Sequence, residues 1–319
     1  MVNQKKLQKW VVLGTGGTIA GTAASPSDLT AYQAGQLGVA VLLDAVPGLR
    51  EVLQDDPLVC EQVAQLDSKD MDPATWQALA LRCAHWLAQP DVGGVVITHG
   101  TDTLEETAWW LHKVLDTTKP VVLTCAMRPA TAALPDGPQN LRDALTVVRE
   151  PKARGVLVVC AGHIHSARHV QKVHPFRLDA FGSGEAGPCG QVVSGQVRWQ
   201  APLDGPQVHP QAGQLLACAA ADWPWVEVLH SHAGADPRKV SLLAAAGVRG
   251  LVVAGTGNGM VHQLLLAAVL QAQAQGVAVR LSTRCSEGPL VGTPAALQMT
   301  EPGLNPFKAR ISLMLDLMA

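Results

Sequence analysis

Of 319 residues, 48% are hydrophobic and 16% charged, which allows a large buried core and excludes a disordered chain. A formal net charge of −2 without a Lys/Arg cluster gives no electrostatic support to a nucleic-acid or anionic-membrane partner. The seven cysteines are odd in number and contain no CxxC pair, so they read as small buried hydrophobes in a reducing compartment.

In chain order, the lysine-bearing start is followed by only Trp10–Leu13 before Gly14. That apolar stretch is too short for a signal-peptide core, and no run approaches a membrane span, so the expected location is the cytoplasm. Strand-like runs at Trp10–Leu13, Val95–Ile97, Val121–Leu123, Val156–Val159, Leu251–Val253 and Val277–Leu281 alternate with helical segments. Asp72–Leu87, Leu104–Leu115 and Val261–Gln275 carry the helical periodicity. This alternation predicts an α/β fold: βαβ units, right-handed crossovers and a mostly parallel sheet with flanking helices. The Pro-, Gly- and Gln-rich stretch from Pro202 to Gln214 has little periodicity and reads as a connection. The expected division is a larger N-terminal α/β domain over 1–201, a linker over 202–220 and a smaller C-terminal α/β domain over 221–319.

Two runs at strand ends carry the chemistry: Gly14-Thr15-Gly16-Gly17-Thr18 and His99-Gly100-Thr101-Asp102-Thr103. Carboxyl ends of strands in an open α/β sheet are where ligands sit. Two hydroxyls there, one with a carboxylate beside it, point to nucleophilic catalysis on a small polar substrate. Thr103-Leu104-Glu105-Glu106 reads as a capping box, which sets Thr101 and Asp102 just before a helix N-terminus. Read singly, Thr15 is a turn residue, Asp102 a helix cap and Lys172 a solvated lysine. A lysine brought beside a hydroxyl and a carboxylate could instead accept the hydroxyl's proton.

No cofactor or metal is expected. A G-x-G-x-x-G pattern fails at Ile19 and again at Met260, and no G-x-x-x-x-G-K-[ST] occurs. His163, His165, His169 and His174 match no zinc spacing.

Several further motifs join these in order: Ile19-Ala20-Gly21, Glu105-Glu106-Thr107, Ala126-Met127-Arg128-Pro129, Asp136-Gly137-Pro138, Asn140-Leu141, Gly257-Asn258-Gly259 and Leu304-Asn305-Pro306 with Lys308-Ala309-Arg310. Together the set resembles the bacterial-type L-asparaginase family over essentially the whole chain, and its cytoplasmic branch more than its periplasmic one. The resemblance implies hydrolysis of the side-chain amide of L-asparagine to L-aspartate and ammonia. It implies Thr15 as the nucleophile of a β-aspartyl enzyme, with Tyr32 beside it on a mobile loop spanning Gly21 to Gly38. Thr101, Asp102 and Lys172 match the family's proton-transfer set. Ser68 matches a ligand for the α-carboxylate, Asp102 one for the α-amino group, and backbone N–H groups near Thr101 and Ala126 match the oxyanion donors. Asn258 matches a residue supplied by a neighbouring subunit, which implies intimate dimers paired into a tetramer.

Three departures stand out. Lys69 replaces a neutral polar residue that helps bind substrate, and is expected to pair with the α-carboxylate or with a carboxylate such as Glu287. Neither Glu287 nor Glu301, in the segment from Cys285 to Pro302, aligns with the acidic partner of the loop tyrosine. His163, His165 and His169 stand where relatives carry other residues. Two alternatives to an asparaginase stay open: a dual glutaminase-asparaginase, and a non-catalytic amino-acid-binding protein on the same scaffold.

Overall fold

In the computed structural model, which describes residues 7–292 and 297–318, the first apolar run is strand β1 (Lys9–Gly16). Residues 1–6, and 293–296 within the segment from Cys285 to Pro302, lie outside the described residues. The chain divides into two compact units, Met1–Val208 and His209–Ala319.

In the first unit β1 leads through a short antiparallel pair, β2 (Thr22–Ala23) and β3 (Tyr32–Gln33), to helices α1 (Val39–Asp44) and α2 (Leu49–Leu53). Strand β4 (Leu58–Leu66), helix α3 (Pro73–Leu87), strand β5 (Val92–Thr98), helix α4 (Leu104–Val114), strand β6 (Val121–Thr124), helix α5 (Gly137–Val148) and strand β7 (Val156–Cys160) follow. The unit ends in short strands: β8 (His163–Ser166), β9 (Gln171–Lys172), β10 (Phe181–Gly182), β11 (Gly190–Val193) and β12 (Gln196–Trp199).

Eight strands form one sheet in the order β12-β11-β8-β7-β6-β5-β1-β4. Strands β4, β1, β5, β6 and β7 are parallel, and β8, β11 and β12 extend the sheet antiparallel. The chain leaves β1 toward β4, then crosses back over β1 to β5 and runs on to β6. The direction of winding therefore reverses between β1 and β5, and their carboxyl ends flank the crevice where such sheets bind ligands.

Burial holds these strand ends in place. Trp10, Val12, Val96, Val122, Leu157 and Val159, from alternate positions of their strands, pack with Leu42, Leu43, Leu141, Ala144 and Leu145 from α1 and α5. Each valine and leucine of this set contributes roughly 1.5–3 kcal/mol when buried. Pro73 starts α3 behind Asp72, whose carboxylate accepts from the Thr75 N–H at 2.8 Å.

In the second unit helix α6 (Ala212–Ala217) lies inside the stretch read as a connection, with Ala212 and Leu215 buried. Its neighbours in sequence include few periodic apolar residues, which is why the pattern concealed it. Strand β13 (Val226–His230), helix α7 (Arg238–Ala245), strand β14 (Gly250–Gly255), helix α8 (Gln263–Ala274), strand β15 (Ala278–Thr283) and helix α9 (Pro306–Asp316) complete the chain. β13, β14 and β15 make a separate parallel sheet. Leu251, Val253, Val279 and Leu281 pack with Leu265 and Val269 of α8. Asn305 caps α9 by accepting from the Lys308 N–H at 2.9 Å.

Candidate active site

Thr15 sits where β1 loses its register with β4: Gly14 pairs with Gln62, but Gly16 pairs with Leu66. This bulge lets the strand end curl, and Gly16 and Gly17 take φ of +100° and +82°. Thr15 is 1% exposed, and its Oγ1 donates to the Thr98 carbonyl at the end of β5, 2.9 Å away. The hydroxyl thus lies against the very crevice that the topology leaves between β1 and β5.

The second run arrives from the other side. A Cβ on Gly17 would stand 2.3 Å from the Gly100 Cα, and one on Gly100 would stand 2.4 Å from the Ser68 Oγ. These glycines allow the two strand ends to approach each other. Ser68, also buried, accepts from the Asp102 N–H at 3.1 Å. The predicted capping box does not form: Thr103 holds the N-cap position of α4 without a side-chain cap bond, and its Oγ1 donates to the Ser68 carbonyl at 2.7 Å. A tertiary acceptor wins over the local one.

Lys172, on β9, brings the third element. Its Nζ donates to Thr101 Oγ1 at 2.8 Å and to Asp102 Oδ1 at 2.6 Å. Its backbone N–H donates to Glu105 Oε2 at 2.5 Å, which ties β9 to the first turn of α4. Antiparallel pairing with Phe181 of β10 fixes it from the far side. A sequence separation of about seventy residues is closed, so the solvated-lysine alternative does not hold: the side chain is 18% exposed.

Beneath Thr101 the imidazole of His99 is fully buried. Its Nδ1 lies 2.7 Å from the Gly100 carbonyl, its Nε2 lies 3.0 Å from Thr107 Oγ1, and Thr107 Oγ1 accepts from Trp76 Nε1 at 2.9 Å. Burial pushes the His99 pKa down to about 4, so the ring is neutral near neutral pH. One proton arrangement satisfies every atom: Trp76 donates to Thr107, Thr107 donates to Nε2, and Nδ1–H donates to the Gly100 carbonyl.

Ala126 follows β6 in a loop clamped by Asp136. The carboxylate accepts from the N–H groups of Met127 and Arg128, both at 2.9 Å. Asn140 joins the clamp, donating to the Cys125 carbonyl at 2.9 Å and accepting from the Ala161 N–H at 3.0 Å. The Tyr32 hydroxyl lies 2.7 Å from the Thr18 hydroxyl; Thr18, not Thr15, is its direct partner.

A family model described as "Asparaginase, N-terminal" matches residues 9–204, and one described as "Glutaminase/Asparaginase C-terminal domain" matches residues 225–319. The chain belongs to the asparaginase family. It is similar to "L-asparaginase 2" of Bacillus subtilis, with 35% identity over 98% of this chain and 84% of that protein. It is 36% identical to a "Glutaminase-asparaginase" of Pseudomonas fluorescens over 98% of this chain and 87% of that one. A crystal structure of a probable cytoplasmic L-asparaginase from Campylobacter jejuni superposes with a TM-score of 0.90 at 36% identity, covering 97% of this chain and 95% of that chain.

Within this asparaginase-family chain Lys69 has a local partner. Its ammonium pairs with the adjacent Asp70 and is 61% exposed. That hydrogen bond, with the nearby charges of Asp67 and Asp102, raises the lysine's pKa. In the second unit the Asn258 amide makes a reciprocal pair with Val291, donating to its carbonyl at 2.7 Å and accepting from its N–H at 2.8 Å. Of the histidines, His165 is buried with Nδ1 2.8 Å from Ser183 Oγ, and His163 Nδ1 lies 3.1 Å from the Ala161 carbonyl. Among the described residues no group of three or more His, Cys, Asp or Glu could hold a metal ion. Nor is any helix of the described residues long and apolar enough to cross a membrane.

Glu105, Thr107, Asp136 and Asn140 sit inside motifs that the sequence singles out, yet their tasks are not readable there. Trp76 carries no motif signal at all. Each acts through a partner between 8 and 67 residues distant in the chain, a distance that helical periodicity does not reach.

Proposed function

We propose that this chain hydrolyses the side-chain amide of L-asparagine, releasing ammonia and L-aspartate through a β-aspartyl ester on Thr15. The observation that carries the reading is the meeting of two hydroxyl sets at one switch point: Thr15 on β1, and Thr101 with Asp102 and Lys172 beyond β5. Thr15 Oγ1 attacks the amide carbon, the C–N bond breaks, and ammonia leaves with the proton delivered to it. Water then attacks the ester and restores the threonine hydroxyl. Thr101, Asp102 and Lys172 handle the protons of these steps, a contribution typically worth 10²–10⁴ in rate. The N–H groups of Thr101 and Ala126 serve the developing oxyanion, each such donor supplying roughly 3 kcal/mol. Ser68 is assigned to the α-carboxylate end of the substrate and Asp102 to its α-ammonium, with Lys69 at the rim beside Asp70. Tyr32, on the β2–β3 hairpin, belongs to the segment that closes over the site and excludes water.

Asn258 is assigned to the active site of a neighbouring copy, in intimate dimers that pair into a homotetramer; sedimentation at micromolar concentration, with an Asn258→Ala variant assayed in parallel, tests both. A domain division at 1–201, 202–220 and 221–319 is proposed on the Pro-, Gly- and Gln-rich composition of the stretch from Pro202 to Gln214. A cytoplasmic location is proposed on the scattered free cysteines and the description of the Campylobacter jejuni relative.

The deciding experiment is ammonia release from L-asparagine by the purified protein and its Thr15→Ala variant, with mass spectrometry of the quenched enzyme for an acyl adduct. Full activity in the variant overturns the nucleophile assignment. Binding of aspartate without turnover would favour the amino-acid-binding alternative. A second reading, the dual glutaminase-asparaginase, is favoured by the similarity to the Pseudomonas fluorescens protein of that name. One methylene separates the two amides, worth about 1–3 kcal/mol in a fitted pocket. A kcat/KM for glutamine within tenfold of that for asparagine decides for it.

A further inference from the structure

The ring of His99 does more than fill the core beneath the crevice. It bonds the carbonyl of the next residue, Gly100, at 2.7 Å. A trans peptide is planar, with C=O and N–H pointing to opposite sides. Fixing the Gly100 carbonyl against the buried ring therefore turns the N–H of Thr101 away from the core, toward the carboxyl end of the sheet. Glycine at position 100 has no side chain to fix its own orientation, and this peptide is the one that precedes the hydroxyl held by Lys172.

We propose that His99 is a positioning residue for catalysis, which holds the Gly100–Thr101 peptide plane so that the Thr101 N–H faces the oxyanion formed from the substrate amide. Trp76 and Thr107 complete the device. Trp76 Nε1–H donates to Thr107 Oγ1, so the Thr107 proton is directed at His99 Nε2. With Nε2 accepting, the proton of the neutral ring sits on Nδ1, the atom that meets the Gly100 carbonyl. Trp76 comes from α3 and Thr107 from α4, so two helices packed on the sheet set the tautomer of a ring at the end of β5. The inference rests on the amidohydrolase reading for its reaction, but not for its geometry.

The test compares His99→Asn, His99→Leu and Thr107→Val. The asparagine side-chain nitrogen falls where Nδ1 stands and can donate to the Gly100 carbonyl; leucine cannot. His99→Leu is expected to lower kcat for asparagine at least tenfold, with KM within about threefold, because the neutral amide of the bound substrate carries no oxyanion. His99→Asn is expected to recover most of the lost kcat. Thr107→Val, which frees Nε2 and releases the tautomer, is expected to fall between them and decides the matter if His99→Leu does not fold. Wild-type kcat in His99→Leu, or equal loss in His99→Leu and His99→Asn, overturns the proposal in favour of plain core packing. If the wild type hydrolyses no amide, the functional reading fails by itself. The ¹⁵N shift of Thr101 then tests the positioning: it is expected to move in His99→Leu and return in His99→Asn, and an unmoved shift overturns it.

Discussion

Gly17 and Gly100 touch backbone to backbone: a Cβ on Gly17 would stand 2.3 Å from both the Cα and the N of Gly100. The contact welds the end of β1 to the loop after β5 and sets the spacing between Thr15 and Thr101. Gly17 also holds φ +82°, which other residues adopt only with strain. Gly17→Ala combines the strain with a collision against backbone that cannot rotate away. It is expected to cost at least about 2 kcal/mol of stability and to abolish turnover; urea unfolding and ammonia release measure the two. Unfolding within 0.5 kcal/mol of the wild type would show that the two loops can separate cheaply.

Lys172 reaches both Thr101 and Asp102 with one ammonium. Lys172→Met keeps the length of the stem and removes the charge and all three donors. We expect kcat to fall by about 10²-fold or more, with the Kd of L-aspartate changed far less. A variant retaining a tenth of the wild-type kcat would remove Lys172 from the proton-handling set.

Asp136 is expected to matter without touching substrate. Its two oxygens accept the N–H groups of Met127 and Arg128, and Asn140 also donates to it at 3.2 Å. Asp136→Ala leaves those two amides without their charged acceptor, which costs about 2–3 kcal/mol and frees the loop that carries Ala126. Both thermal stability and kcat are expected to drop, while Asp136→Asn, able to accept only one of the two N–H bonds with its oxygen, falls between. Unchanged kcat in Asp136→Ala would show that the loop keeps its shape unaided.

For Lys69 the expectation is a small effect. Its ammonium faces Asp70 at the surface, where an ion pair adds little and is screened by salt. Lys69→Gln is expected to change kcat/KM for asparagine by less than about threefold. A tenfold rise in KM would place the cation on the substrate's α-carboxylate after all.

The sequence made the sheet legible because its central strands are buried on both sides and read as unbroken apolar runs, such as Val121–Thr124. The crevice followed, since Thr15 and Thr101 lie at the ends of such runs. What periodicity could not reveal is which side chain meets which across the sheet. Thr103 has the spacing of a helix cap, yet bonds Ser68. Tyr32 meets the Thr18 hydroxyl, a contact that no spacing reveals. The Asp136 clamp and the Trp76–Thr107–His99 chain depend on tertiary neighbours, so only the packed structure exposes them. His163 and His165 turn out to be bonded locally and in the core, which explains their fit but not why they occur here.

Two buried groups oppose each other as pH falls. His99 has its pKa pushed by burial from 6.5 to about 4. Between those values the unfolded chain binds a proton that the folded chain refuses, so stability is lost as pH drops through that interval, by roughly 3 kcal/mol in all. Asp143 has its pKa raised by burial from 3.8 to about 6. There the folded chain holds the extra proton, and stability is gained as pH drops through nearly the same interval. The two contributions largely offset in the wild type. Asp143→Asn removes the gain while still accepting the Gln139 amide that reaches Asp143 at 2.8 Å. At pH 7 this variant is expected to be at least as stable as the wild type, because a carboxylate is no longer held in a buried site. Between pH 7 and pH 4.5 its urea midpoint should fall more steeply than that of the wild type, since His99 then acts unopposed. Parallel curves for the two proteins would mean that Asp143 titrates alike in the folded and unfolded chains.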